Sequence, residues 1–206
     1  DAHIVVPAGA KESKLRAIER AGSTVERVEG SREAVTDACV TAVKAGEGWY
    51  ASHTWNPAFL QGTATFAYEL AAQRNWSVPD AVVLPLGHGT MFLGAYYGFT
   101  ALKQAGWTDN VPRLLGAQAE GYAPIADELH TDSATTNELA DGIQIREPVR
   151  RDEIFEAIDT TGGDAIAISA QATERELDRL HSAGFYTEPT CAVAPAALTI
   201  YRERGV

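Results

Sequence analysis

The sequence predicts an α/β protein of open, mostly parallel sheets flanked by helices, and three observations carry that prediction. Short apolar runs bounded by glycine or proline alternate with segments whose apolar residues recur at helical spacing. The run at 81–86 is rich in Val and Leu with little polar alternation, the pattern of a strand covered on both faces. It breaks at Gly87-His88-Gly89-Thr90, after which Met91, Phe92, Leu93, Ala95, Tyr96, Phe99 and Leu102 cover nearly the whole circumference of a helix. That helix is expected to be buried on all sides.

In chain order, 4–7 is the first expected strand, and Ser13 is expected to cap a helix running to Ala21 with Leu15 and Ile18 inward. Gly22 stops it. A second strand is expected at 24–28. Gly30-Ser31 opens a helix with Val35, Ala38, Cys39 and Ala42 at i, i+3, i+4 and i+7. A third strand is expected at 49–52, completing a β-α-β-α-β run in one parallel sheet. A turn-rich stretch from His53 to Thr63 leads into a helix with Ala64, Ala67, Leu70 and Ala71 inward. Beyond the central strand and helix come a strand at 113–119, an irregular stretch at 122–141 with room for a short helix, a helix at 151–160 and a strand at 164–169. The helix after it carries Leu177, Leu180 and Ala183 inward. Pro189 starts a last helix through Tyr201, which Pro195 is expected to kink or delay.

Composition narrows the function. The 206 residues are 45% hydrophobic and 22% charged, as in a soluble globular chain, and the formal net charge of −11 opposes binding to nucleic acid. No apolar run reaches membrane-spanning length and no signal peptide is visible, so the cytoplasm is the expected compartment. Cys39 and Cys191 are too few and too far apart for a metal cluster or disulfide framework, and Cys39 is expected as a buried free thiol. No metal site is predicted. Trp49, Trp55, Trp76 and Trp107 are expected in the core or at its rim. The chain enters an apolar run within two residues of Asp1 without an initiator methionine, and is expected to be a piece of a longer protein.

The glycine break has two readings. A helix N-terminus offers unpaired N–H donors and the positive end of the dipole, and glycine lets an anion approach the backbone, so this is a candidate phosphate cradle. It is equally a tight βα turn with glycines for conformation only.

Five segments in order carry a family likeness. Asn56-Pro57-x-Phe59-Leu60-x-Gly62-Thr63, followed by Phe66-Ala67-Tyr68-Glu69-Leu70, resembles the Asn-Pro…Leu-Glu-Gly-Gln…Ala-x-Glu-Ile stretch of threonine synthases. Residues 82–90 resemble their Val-Val-x-Pro-x-Gly-Asn-Gly loop, and Gln118-Ala-Glu-Gly-Tyr-Ala-Pro resembles their Gln-Ala-Glu-Gly-x-Ala-Pro segment. Ala140-Asp-Gly-Ile143 with Pro148, and Glu188-Pro189, follow in the same order. The resemblance implies a fold-type-II pyridoxal-phosphate enzyme (tryptophan synthase β-like), incomplete at both ends. Residues 1–52 would be the remainder of a small α/β domain and 53–206 the bulk of a large one. It implies that Gly87, His88, Gly89, Thr90 and Met91 hold the phosphate of pyridoxal 5'-phosphate. Asn56 and Glu120 would meet an amino-acid substrate, and the parent enzyme would be a homodimer.

Departures accompany the likeness. The family's Schiff-base lysine stands in a Ser-x-Lys context. This chain has only Lys11, Lys14, Lys44 and Lys103, all expected on solvated surfaces, so no catalytic residue is assigned and the chain alone is expected to be inactive. Phe59 and Thr63 replace the Arg and Gln of threonine synthases, and His88 replaces the loop Asn; an aromatic ring cannot clamp a phosphate as a guanidinium does. O-Phosphohomoserine to threonine is the reaction implied. An amino-acid dehydratase, a β-replacement synthase, or a non-catalytic anion-binding module remain alternatives. His53 and His130 are each candidates for acid–base work or for plain surface positions. Glu120 is either a site carboxylate or a capped loop residue, and Asn56 either a substrate contact or a helix-entry residue.

Overall fold

The computed structural model describes residues 2–10, 12–30, 32–130 and 135–205, with the side chains of residues 13, 14, 32 and 33 left out. The roles expected of Lys11 and Ser31, and of the Ser13 and Lys14 side chains, therefore lie outside the described residues. The chain divides into two compact units, 1–52 and 53–206.

In the first unit, β1 (His3–Pro7) and β2 (Thr24–Val28) pair in parallel, His3 opposite Thr24. Helices α1 (Glu12–Arg20) and α2 (Arg32–Lys44) follow the two strands. Leu15 is the buried anchor of α1. Helix α1 is described from Glu12, with the backbone of residue 13 in its first turn. Residues 49–52 form no strand. Trp and Tyr favour strands only where a neighbouring strand offers a pleated, half-buried surface, and Trp49 is 74% exposed. Cys39 is a free thiol as expected, but half-buried; burial and the Glu26 charge push its pKa up.

In the second unit, β3 (Ala81–Pro85), β4 (Arg113–Ala119) and β5 (Asp164–Ile168) form a parallel sheet in the order β3-β4-β5. Pro85 stands opposite Ala117, and Ala119 opposite Ile168. Alternate side chains of β4 enter two cores. Leu114 meets Phe92, Phe99 and Ile154 on one face, while Leu115, Ala117 and Ala119 meet Val193, Ala197 and Tyr201 on the other. The first face is covered by α3 (Pro57–Gln73), α4 (Thr90–Gln104), α5 (Pro124–Leu129) and α6 (Arg151–Thr161). The second is covered by α8 (Pro189–Glu203), against which α7 (Ala170–Ser182) packs. Pro195 sits within α8, which starts at Pro189 without delay.

Helices α3 and α4 touch at backbone range. A Cβ on Gly98 would lie 2.6 Å from the Ala64 carbonyl oxygen, and one on Gly94 would collide with Thr63. Helix α4 is buried at Phe92, Leu93, Ala95, Phe99 and Leu102, but Met91 is 41% exposed, so its first turn keeps an open side. Trp55, Trp76 and Trp107 are exposed and not core; Trp76 and Trp107 lie against each other, ring centroids 4.4 Å apart.

Candidate functional site

The carboxyl ends of β3 and β4 lie side by side, where an open parallel sheet forms its binding crevice. The Leu86 amide makes the last rung to Ala117, donating to its carbonyl at 2.8 Å. The chain then leaves the sheet through Gly87, His88 and Gly89. Gly89 has φ of 82° and occupies the N-cap of α4 without a side-chain cap. An L side chain would be strained there. Behind the turn, a Cβ on Gly87 would meet Ile143 and Ile145 at 3.2–3.3 Å, so the backbone is packed from the rear.

The first turn of α4 is left ready for an anion. Leu93 makes the first helical bond, to the Gly89 carbonyl at 2.8 Å. Among the described residues, the amides of Gly87, Gly89, Thr90, Met91 and Phe92 donate to no backbone carbonyl. No acidic residue stands in that turn to compete for the positive end of the dipole. Gly87 and Gly89 are buried, His88 and Thr90 half-buried, and Met91 lies at the exposed rim. This donor set suits a phosphate monoester: clustered N–H groups, a close glycine backbone and no opposing carboxylate.

Helix α3 brings the 53–63 stretch to the same place. The Thr63 hydroxyl lies within hydrogen-bond distance of the Leu60 and Thr90 carbonyls, at 3.1 and 3.0 Å, which share its one hydrogen. The His53 ring lies 5.8 Å from the His88 ring and 6.0 Å from Phe59, edge-on to both. Asn56 caps α3, its Oδ1 accepting from the Ala58 amide at 3.0 Å, with Pro57 in the first turn. Asn56 also lines a hollow of about 360 Å³ together with Ala58, Phe59, Gly62 and Thr63. Glu120 follows the last residue of β4 at the same sheet edge, its amide on the Ile168 carbonyl at 3.1 Å and its carboxylate accepting from the Thr135 hydroxyl. His130 stands elsewhere: it pairs at 2.8 Å with Asp164, which begins β5 at the amino end of the sheet.

Two supporting groups reach partners distant in sequence. Gln118, fully buried in β4, links α5 to Leu86. In the sequence it stands out as a long polar side chain within an otherwise apolar strand and as the first residue of a family-like segment, with nothing to show its link to Leu86. Arg150 donates from Nε to the Thr54 carbonyl at 2.9 Å and from Nη1 to Glu153 at 2.7 Å, and Glu153 also accepts from the Tyr97 hydroxyl at 2.6 Å. Burial and that hydrogen bond push the Tyr97 phenol up to about 12.

Known proteins resemble this chain in sequence and in fold. A threonine synthase of Methanosarcina acetivorans is 33% identical over 178 residues, covering 82% of this chain and 44% of the relative. Threonine synthase 2, chloroplastic, of Arabidopsis thaliana is 34% identical over 169 residues, 76% of this chain and 32% of the relative. The chain thus spans less than half the length of these curated relatives. Among solved structures, maize serine racemase superposes with a TM-score of 0.77 at 19% identity, over 95% of this chain and 58% of that one. The processed form of threonine deaminase isoform 2 from Solanum lycopersicum gives 0.75 at 21%, over 99% and 55%. At such identities these two speak for the fold alone. The sequence model of the pyridoxal-phosphate dependent enzymes matches residues 1–206 throughout, and the chain belongs to that family.

Proposed function

We propose that residues 87–91 hold the phosphate of pyridoxal 5'-phosphate, and that the protein these elements serve is a threonine-synthase-like lyase acting on a phosphorylated hydroxy amino acid. The observation that carries this reading is the set of α4 first-turn amides without carbonyl partners beyond a left-handed Gly89. The bound cofactor supplies an electron sink for carbanion chemistry. This chain's residues bind and orient: Gly87 through Met91 neutralise the phosphate, and Asn56 and Glu120 border the space a substrate amino acid would fill. In this reading 1–52 belongs to a smaller lobe and 53–206 to the phosphate-binding lobe, in a cytoplasmic homodimer. No helix of the described residues is long and apolar enough to cross a membrane.

Lys103 stands thirteen residues along α4 from Thr90, about 20 Å from the turn, and cannot reach a cofactor held there. One observation favours a second reaction on the same scaffold. Phe59, 44% exposed, stands on the wall of the hollow with no charge to hold a substrate phosphate, which suits an amino-acid dehydratase.

The test is a titration of the isotope-labelled chain with pyridoxal 5'-phosphate, inorganic phosphate and pyridoxal. The first two are expected to shift the amide resonances of Gly87, Gly89, Thr90 and Met91, and pyridoxal to leave them in place. Borohydride is expected to trap no adduct on Lys103. Shifts confined to other parts of the chain, or equal shifts with pyridoxal, overturn the phosphate assignment.

A further inference from the structure

The residue that aims the glycine turn lies on the neighbouring strand. We propose that Gln118 is a positioning residue for the anion site: its carboxamide fixes the Leu86–Gly87 peptide so that the Gly87 N–H points at the bound phosphate. The proposal rests on the phosphate reading above.

Gln118 is completely buried. Its Oε1 accepts from the amides of both Ile125 and Ala126, at 2.9 Å each, and so satisfies the start of α5. Two donors on one oxygen assign the orientation of the carboxamide, because a flipped group would set NH₂ against two N–H groups. Nε2 therefore faces the Leu86 carbonyl, to which it donates at 3.4 Å. A trans peptide is planar, with its carbonyl oxygen and the following N–H on opposite sides. Holding the Leu86 oxygen toward Gln118 therefore turns the Gly87 N–H away from Gln118, to the side proposed for the phosphate.

The other contacts of Leu86 fix its place but not that direction. Its amide is on Ala117, and its side chain lies over Gly116, where a Cβ would come within 2.7 Å of Leu86 Cδ2. Ile143 and Ile145 block retreat of Gly87 to the rear. Among the described residues, Gln118 makes the one hydrogen bond to the Leu86 carbonyl, and that bond favours one rotation of the peptide plane. Gln118 touches no ligand; it acts through Leu86.

Gln118→Glu separates this role from simple packing. The protonated acid has the shape of the amide: its carbonyl oxygen can accept from Ile125 and Ala126 while its hydroxyl donates to Leu86. The ionised form has only acceptors and sets a negative oxygen against the Leu86 carbonyl. Inorganic phosphate is titrated into the wild-type chain and Q118E between about pH 5 and pH 8, read by the Gly87 amide resonance. At the upper end Q118E is expected to bind about tenfold more weakly, with a displaced Gly87 resonance. Acidification is expected to bring both the affinity ratio and the resonance back to wild type. Gln118→Met, with no donor at any pH, is expected to stay weak throughout.

Equal affinities for the wild type and both variants, or a deficit in Q118E that ignores pH, overturn the role of Gln118 and leave the phosphate site standing. No phosphate effect on the wild-type chain removes both. Should neither variant fold, the wild type decides. Its Gln118 side-chain NH₂ resonances are expected to move when phosphate binds, and resonances indifferent to phosphate overturn the proposal.

Discussion

Gly89→Ala probes the turn from its own backbone. Two separate costs arise. At φ of 82° an alanine adopts a left-handed conformation that disfavours a side chain by about 1–2 kcal/mol. Its Cβ would also lie 2.6 Å from Ile154 Cδ1 and 2.8 Å from Cγ1, an overpacking that costs about 1–3 kcal/mol in a close-packed core. Together they make about 2–5 kcal/mol, a large share of the roughly 5–15 kcal/mol that holds a domain folded. Urea unfolding followed by circular dichroism is expected to show a lower midpoint with an unchanged slope. Ile154→Ala removes both offending atoms, so in that background Gly89→Ala should cost only the conformational part, about 1–2 kcal/mol. A cost below about 1 kcal/mol in the wild-type background, or the same cost in both backgrounds, refutes the contact with Ile154 as described.

Three further outcomes are expected. Asn56→Ala should cost about 1 kcal/mol by thermal unfolding while Asn56→Ser costs a few tenths, since either side chain can cap α3; equal losses would count against the cap. Arg150→Met should cost about 1.5–3 kcal/mol by depriving the Thr54 carbonyl and Glu153 of a charged donor, and should speed amide hydrogen exchange at 53–56. The Tyr97 pKa is raised from 10 to about 12, so folding favours its protonated form. That stabilisation is fully present below pH 10 and is lost as pH climbs through 12. The stability difference between wild type and Tyr97→Phe, from urea midpoints, is expected to hold steady below pH 10 and to shrink across that window. A flat difference through it would deny the coupling.

The strand, glycine turn and helix at 81–104 were legible because each signal is contiguous: an apolar run, two glycines, then apolar residues at helical spacing. The supports of that turn are not contiguous. Gln118 reaches Leu86 across 32 residues, and Arg150 reaches Thr54 across 96, so no window of sequence contains either partner pair. The expected strand at 49–52 failed for the same reason in reverse. Local preference proposed an element that only a neighbouring strand could have stabilised, and none is paired there. Periodicity places Met91 on a buried helix, but periodicity describes a helix interior and is blind to where the helix end opens at the sheet edge, and Met91 is exposed. The stretch expected to be turn-rich as far as Thr63 is helical from Pro57 onward: Asn56 and Pro57 are the helix entry, which outweighs the glycine and threonine at 62 and 63.

The crossing of α3 over α4 at Gly94 and Gly98 has a mechanical consequence. With main chains in contact and a threonine hydroxyl bridging them, these two rods cannot slide past one another without colliding. The locked pair therefore serves as a fixed frame directly behind the 87–89 turn.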